Sequence, residues 1–327
     1  MKKILITGGA GYVGAALTPY LISKGYQVTV LDLMIYGKEV LKDDKNLKII
    51  TGDIRNVQLL KKVLVDIDVV IHLACISNDP SFELNPNLGK SINLDAFEPL
   101  VKISKDNKVK KFIYASSSSV YGVKEAENVD EQMKLEPLTD YSKFKADCER
   151  ILLKYNSENF VTTVVRPATV CGYSPRQRLD VVVNIFTNLA FNKRKISIFG
   201  GSQLRPNIHI VDMIRVYEKI LSAPSSKISG EIFNAGYHNH SVKELGQIVK
   251  KEIGDDVKLE FEKSSDNRSY HISSEKINKV IGFETTKKIE DAVIDLKKAF
   301  EDGLLPNSME DEKYFNIKRM NNLKLRW

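Results

Sequence analysis

A chain of 327 residues, 43% of them hydrophobic, can bury a full-sized core as one large α/β unit or as two packed lobes, which excludes a disordered protein. Its apolar runs, such as 68–75, are far too short to span a membrane, and Lys2-Lys3 leads into a strand-like run ending in glycines rather than into a signal peptide, so no membrane partner is expected. The 49 basic residues exceed the 42 acidic ones without forming the dense block that nucleic acid needs, and three scattered cysteines (Cys75, Cys148, Cys171) supply neither a disulfide framework nor metal-ligand spacing, so the expectation is a cytoplasmic protein with no metal and no nucleic-acid partner.

Short β-branched runs alternate with longer amphipathic stretches through the first half. Lys3–Thr7, Gln27–Asp32, Leu47–Thr51, 68–73, Lys111–Ala115 and 161–166 read as strands. Near-continuous apolar strands separated by helical segments predict a parallel sheet covered on both faces, a doubly wound α/β unit. The first strand runs into GGAGYVG, which places Gly8, Gly11 and Gly14 at a strand-to-helix turn. Glycines there allow positive φ and close backbone approach, so a pyrophosphate can sit on the helix N-terminus, where unpaired N–H groups and the helix dipole favour an anion. Pro19 falls well inside that helix and should bend it.

The second strand ends at Asp32, roughly 20 residues after the glycines, where a carboxylate accepts hydrogen bonds from ribose hydroxyls and repels a 2′-phosphate. That favours NAD over NADP, with Lys38 close enough in sequence to oppose the preference. Asp53, at the end of the third strand, is either a partner for the adenine amino group or an ordinary turn aspartate. His72 closes the fourth strand and reads as a packing and hydrogen-bonding residue rather than a base. After the fifth strand come four serines, Ser116 to Ser119, then Val120-Tyr121-Gly122.

In LTDYSKFKADCERILLKY, Thr139 or Asp140 caps a helix whose apolar stripe is Phe144, Cys148, Ile151, Leu152 and Tyr155. Tyr141 and Lys145 are four apart and share a face. A lysine ammonium near a phenol favours the phenolate, so the tyrosine can exchange a proton near neutral pH. Beyond residue 166 the pattern loosens into shorter strands and loops, with capped helices opening near Ser241 and Ser274. The expected organisation is 1–166 as a dinucleotide-binding domain carrying the reactive residues and 167–327 as a smaller mixed α/β lobe, some of whose segments return to the first, with a shared cleft.

Together, the glycine spacing, Asp32, Asp53, the serines before Val120-Tyr121-Gly122 and Tyr141-x-x-x-Lys145 resemble the extended short-chain dehydrogenase/reductase family, specifically its nucleotide-sugar epimerases and dehydratases. The resemblance implies a Rossmann-type fold, bound NAD, a homodimer, Tyr141 as the base and Lys145 holding the nicotinamide ribose. Tyr12, Val13, Ile54, Leu73, Ala74 and Asn93 would join the glycines, Asp32 and Asp53 along the cofactor. The family's reactive Ser or Thr precedes Val-Tyr-Gly by three positions, which selects Ser117; on a pleated strand Ser116 and Ser118 would face other ways.

Dehydratases of that family carry an Asp-Glu pair where this chain has Ser118 and Ser119, so dehydration is not expected and these serines are assigned to the sugar pocket. Arg205 and Arg268 resemble the arginines that grip the nucleotide, consistent with a planar donor fork suited to phosphate. Thr169 stands where many UDP-sugar epimerases have an asparagine, and Asn184 is placed to replace that amide. The implied activity is NAD-dependent epimerisation of a nucleoside-diphosphate sugar, at carbon 4 through a keto intermediate. The alternative is a nucleotide-sugar dehydrogenase or reductase on the same site. A non-catalytic NAD-sensing regulator is a rival from another class, but such proteins typically lose the Tyr-x-x-x-Lys pair.

Overall fold

The computed structural model describes residues 1–126, 128–263, 269 and 271–323. The central sheet has seven strands, all parallel. They are β1 (Lys3–Thr7), β2 (Gln27–Asp32), β3 (Leu47–Thr51), β4 (Val69–His72), β5 (Lys111–Ala115), β6 (Val161–Pro167) and β10 (Glu231–Ala235), in the order β10-β6-β5-β4-β1-β2-β3. The six strands expected from the sequence are present, two of them with bounds shifted by a residue, and the seventh comes from the second half of the chain. The apolar runs are continuous because both faces of the sheet are covered. The helices Tyr12–Ser23 and Ile210–Ser222 contribute to one core with Ile4, Ile6, Val28 and Val30. On the other face, Phe97–Asp106 and Asp140–Lys154 contribute to a core with Leu5, Val70, Phe112 and Val164.

The smaller lobe holds a three-stranded sheet of β11 (Asn239–Ser241), β9 (Leu204–His209) and β7 (Thr169–Cys171), and a pair formed by β8 (Lys195–Phe199) and β12 (Lys258–Glu262). The helices Val182–Lys193, Val242–Ile253 and Ile289–Glu301 pack around Ile196 and Ile198. Ser241 caps the middle helix in a capping box with Glu244, whereas Ser274 makes no side-chain cap to the helix Glu275–Ile281. Near its end the chain returns to the first lobe, where Met320 of the helix Asn316–Leu323 joins the core beneath β4 and β5.

The helix Tyr12–Ser23 is continuous across Pro19. Among the described residues no helix is long and apolar enough to cross a membrane, and no group of His, Cys, Asp and Glu is placed to hold a metal ion. Strand order reverses at β1, whose neighbours β4 and β2 lead to opposite edges, and at such a switch point the carboxyl ends of the strands open a crevice.

Candidate active site

A cleft runs across that crevice, with the glycine turn at one end and the serine turn at the other. Gly8 adopts φ +77°, and a Cβ there would stand 2.5 Å from the Ala74 backbone nitrogen; one on Gly14 would stand 2.4 Å from the Gly8 carbonyl. Side chains at either position would force β1, the turn and the β4 loop apart. The helix Tyr12–Ser23 has no side-chain cap, so its first N–H groups are left for a ligand. Asp32 lines the cleft with one oxygen accepting from Ala10 N at 3.0 Å and the other from Met34 N at 2.8 Å. Burial pushes its pKa up despite these bonds, so a ribose diol offering two donors is the kind of partner that relieves the strain on its charge. Uncapped N–H groups and an acceptor carboxylate fit a dinucleotide.

Asp53 also lines the cleft, but Arg55 donates to both its oxygens at 2.6–3.0 Å. Burial pushes the Asp53 carboxyl up, and the Arg55 bonds outweigh it and hold the group below the usual range. Tyr12, Val13, Ile54, Leu73 and Ala74 line the same end.

At the other end β5 stops at Ala115, and Ser117, extended at φ −158°, caps a short 3-10 turn over Ser118–Tyr121 by accepting from Ser119 N at 3.1 Å. The serines therefore do not alternate on a pleated strand. Ser117, Ser118 and Ser119 all line the cleft, as do Tyr141, Lys145 and Thr169. Thr139 is the cap of the helix Asp140–Lys154, accepting from Ser142 N at 3.3 Å. Lys145, 4% exposed, donates to the Ala115 carbonyl at 2.6 Å and stands 5.8 Å from the Tyr141 ring centroid. Among the described residues Lys145 makes no salt bridge with a carboxylate.

A buried network bolts the serine turn to this helix. Ser116 donates to Glu149, which accepts from Arg166 Nε at 3.0 Å and Nη2 at 2.6 Å; Arg166 Nη1 donates to the Tyr121 hydroxyl at 2.8 Å, and that hydroxyl to Asn234 at 2.7 Å. Glu149 is one turn beyond Lys145, so Ser117, Tyr141 and Lys145 are held in one frame. A row of hydroxyls leads away from Ser117: Ser119 at 2.8 Å, Ser142 at a further 2.8 Å, Thr139 at 3.0 Å, and from Thr139 to the Asp79 carboxylate at 2.5 Å. Each hydroxyl can donate one proton and accept others, so the row links Ser117 to the Asp79 carboxylate by hydrogen bonds, and either of Ser117 and Ser119 can be the donor in the first of them.

Three candidates stand away from the cleft wall. Asn93 is buried beneath the β4 loop, accepting from Ile76 N at 2.8 Å and donating to Ile76 O at 2.9 Å. Asn184 is fully buried, accepting from Gly172 N and donating to the Tyr12 hydroxyl and the Arg178 carbonyl at 2.8–3.0 Å, which leaves no amide for a substrate. Arg205, on β9, donates to the Leu204 carbonyl at 2.9 Å. Arg268 lies outside the described residues. His72 is buried against Phe97 and Tyr114 with Nδ1 2.6 Å from the Thr7 hydroxyl, and burial, with the Lys145 charge, pushes its pKa down to about 3.

Among the cleft-wall residues that escaped the sequence reading are Tyr36, Arg176, Arg178 and Asn316. The paired arginines of SPRQR, just past the sixth strand, were the available signal, whereas nothing local marks Tyr36 or Asn316. Arg178 donates to Asp180 at 2.5 Å and points Nη1 at Ser77 Oγ, 3.4 Å away.

Residues 4–236 match the NAD dependent epimerase/dehydratase family. The chain is 30% identical over 258 residues to a dTDP-D-glucose 4,6-dehydratase of Dictyostelium discoideum, a match covering 72% of this chain and 58%, less than two thirds, of that relative. It is 27% identical to a UDP-glucose 4-epimerase of Lactobacillus helveticus over 89% of this chain and 94% of the relative. Among solved structures, a UDP-glucose 4-epimerase of Thermotoga maritima with UDP-glucose superimposes with a TM-score of 0.83 at 25% identity, over 92% of this chain and 99% of that one. Epimerases and dehydratases thus stand side by side among its relatives, and the protein belongs to the NAD-dependent epimerase/dehydratase family, enzymes with NAD as cofactor.

Proposed function

We propose that this enzyme oxidises one ring hydroxyl of a nucleoside-diphosphate sugar, at carbon 4, and reduces the resulting ketone from the opposite face, giving the epimer without loss of water. Bound NAD supplies the hydride acceptor and donor. Tyr141 takes the hydroxyl proton as the carbon-bound hydrogen leaves, Lys145 favours its phenolate, and Ser117 bridges phenol and sugar hydroxyl. The observation that carries the reading is the serine turn: Ser118 and Ser119 present hydroxyls, and Ser119 is already engaged with Ser117 and Ser142. Eliminating water needs an acid and a base across neighbouring carbons, and hydroxyls do not supply that pair near neutral pH.

The glycine turn and Asp32 would hold the adenosine half of NAD. Thr169, Ser118 and Ser119 are proposed to meet the sugar, and Arg205 and Arg268 to bind the nucleotide. We further propose a cytoplasmic homodimer, which light scattering would test.

One observation favours a second reading, net oxidation to a keto sugar. That reaction releases a proton, and the hydroxyl row from Ser117 to Asp79 offers a proton a path away from the serine turn. Incubation with UDP-, TDP- and GDP-sugars, followed by NMR of the sugar and absorbance of reduced nicotinamide, separates the two. Epimer without net absorbance supports the first reading; stoichiometric absorbance supports the second; a deoxy-keto sugar overturns both.

A further inference from the structure

Arg176 lies in the loop between β7 and the helix Val182–Lys193 and is 4% exposed. Its guanidinium stacks 3.5 Å above the Tyr36 ring centroid, and Nη2 donates to Asn316 Oδ1 at 2.5 Å. Its Nε is buried with no hydrogen-bond partner, and among the described residues no carboxylate pairs with it. Asp180 is near, but its two oxygens accept from Arg178 and from Asn316 N. An arginine stays charged at physiological pH, and a buried cation without a counter-ion is costly unless a ligand provides one. The planar donor fork suits a phosphate oxyanion.

Two diphosphates enter this cleft, that of the cofactor and that of the sugar nucleotide. The surroundings of Arg176 select the first. Its charge acts on Asp32, its stacking partner Tyr36 follows Asp32 by four residues, and Ser174 in the same loop donates to the Tyr12 carbonyl at the glycine turn at 2.7 Å. We propose that Arg176 is a cofactor ligand that pairs with a phosphate oxyanion of NAD on the side facing the glycine turn. Tyr36 and Asn316 are its positioning residues. Asn316 is the hub: Oδ1 accepts from the Tyr36 hydroxyl at 2.9 Å and from Arg176, while Nδ2 donates to Ser77 at 2.9 Å. Arg319, one turn on, donates to the Ile35 carbonyl at 2.7 Å. The last described helix therefore closes the adenosine end of the cleft, and bound NAD is held from both halves of the chain. This assignment rests on NAD as cofactor and not on which sugar reaction follows.

The test uses the full chain stripped of cofactor, with calorimetric titration of NAD and, separately, of UDP and TDP, on wild type, Arg176→Met and Asn316→Ala. Arg176→Met should weaken NAD at least tenfold and leave UDP and TDP within threefold. Asn316→Ala should weaken NAD by a smaller factor. Thermal melts add a readout that a structural role would not produce. Without NAD, Arg176→Met should melt no lower than wild type, because an unpaired buried charge is gone, while the rise in melting temperature on adding NAD should shrink. A variant that melts lower without NAD but gains the full increment from it would overturn the proposal, as would a loss confined to UDP and TDP. Should Arg176→Met fail to fold, Arg176→Lys, which keeps the charge without the fork, decides: unchanged NAD affinity there refutes the role of the fork.

Discussion

The serine turn allows three neighbouring hydroxyls to be told apart. Ser117→Ala removes the only bridge between phenol and sugar hydroxyl in the proposed mechanism. A hydrogen bond to a group gaining charge contributes about 1.5–3 kcal/mol, which at roughly 1.4 kcal/mol per tenfold slows the chemical step by about 10- to 150-fold. Ser119→Ala takes away a hydroxyl neighbour of Ser117 and leaves the bridge in place, a neutral bond of about 1 kcal/mol and a loss of about fivefold. Ser116→Ala touches neither. Its hydroxyl donates to the buried Glu149, so its loss should appear as about 1.5–3 kcal/mol of folding stability, with turnover within about twofold. Single-turnover rates with NAD saturating, beside urea unfolding of each variant, measure both quantities. Should Ser116→Ala cripple the chemical step while Ser117→Ala leaves it intact, the assignment of the reactive hydroxyl is wrong.

Asp32 should make NAD bind at least tenfold tighter than NADP, about 1.4 kcal/mol, and equal affinities in titration would refute its role at the ribose. Glu149→Ala leaves Arg166 charged, buried and without its carboxylate, and should cost about 3–5 kcal/mol in urea unfolding; a loss below about 1 kcal/mol would contradict the bolting of serine turn to helix. Because burial holds the folded-state pKa of His72 at about 3, below that of the unfolded chain, its contribution to stability is complete above about pH 6.5 and is lost as pH falls towards 3. His72→Phe should flatten the stability profile across that window by up to about 1.4 kcal/mol per pH unit, and an unchanged slope would count against a neutral His72.

The sheet was legible in the sequence because parallel strands buried on both faces are apolar throughout, and the glycine turn because its backbone demands are met by one residue type. β10 was not: EIFNA is short, lies 64 residues beyond the end of β6, and reaches the sheet from the far side of the helix Ile210–Ser222 in sequence, which shares a core with Tyr12–Ser23. The three reactive residues belong to a pattern local enough to read, yet the facing of the serines was not. A serine that caps its own turn breaks the alternation that a strand would impose. Asn184 was chosen as an amide near a phosphate site, but Gly172, Tyr12 and Arg178 take up that amide, and these contacts exist only once the lobes have packed. Tyr36, Arg176 and Asn316 meet across 280 residues of sequence, so their shared site is a property of the tertiary fold.

The most direct test of the account follows a nucleotide sugar deuterated at carbon 4 through the cofactor-loaded enzyme by NMR, with Tyr141→Phe as the control. The account predicts the 4-epimer with deuterium retained at carbon 4, because hydride leaves and returns within one site, and a fall of roughly 10²–10⁴-fold in Tyr141→Phe despite intact NAD binding. A 4-keto-6-deoxy product, epimer that has lost its deuterium, or wild-type turnover in Tyr141→Phe would contradict it.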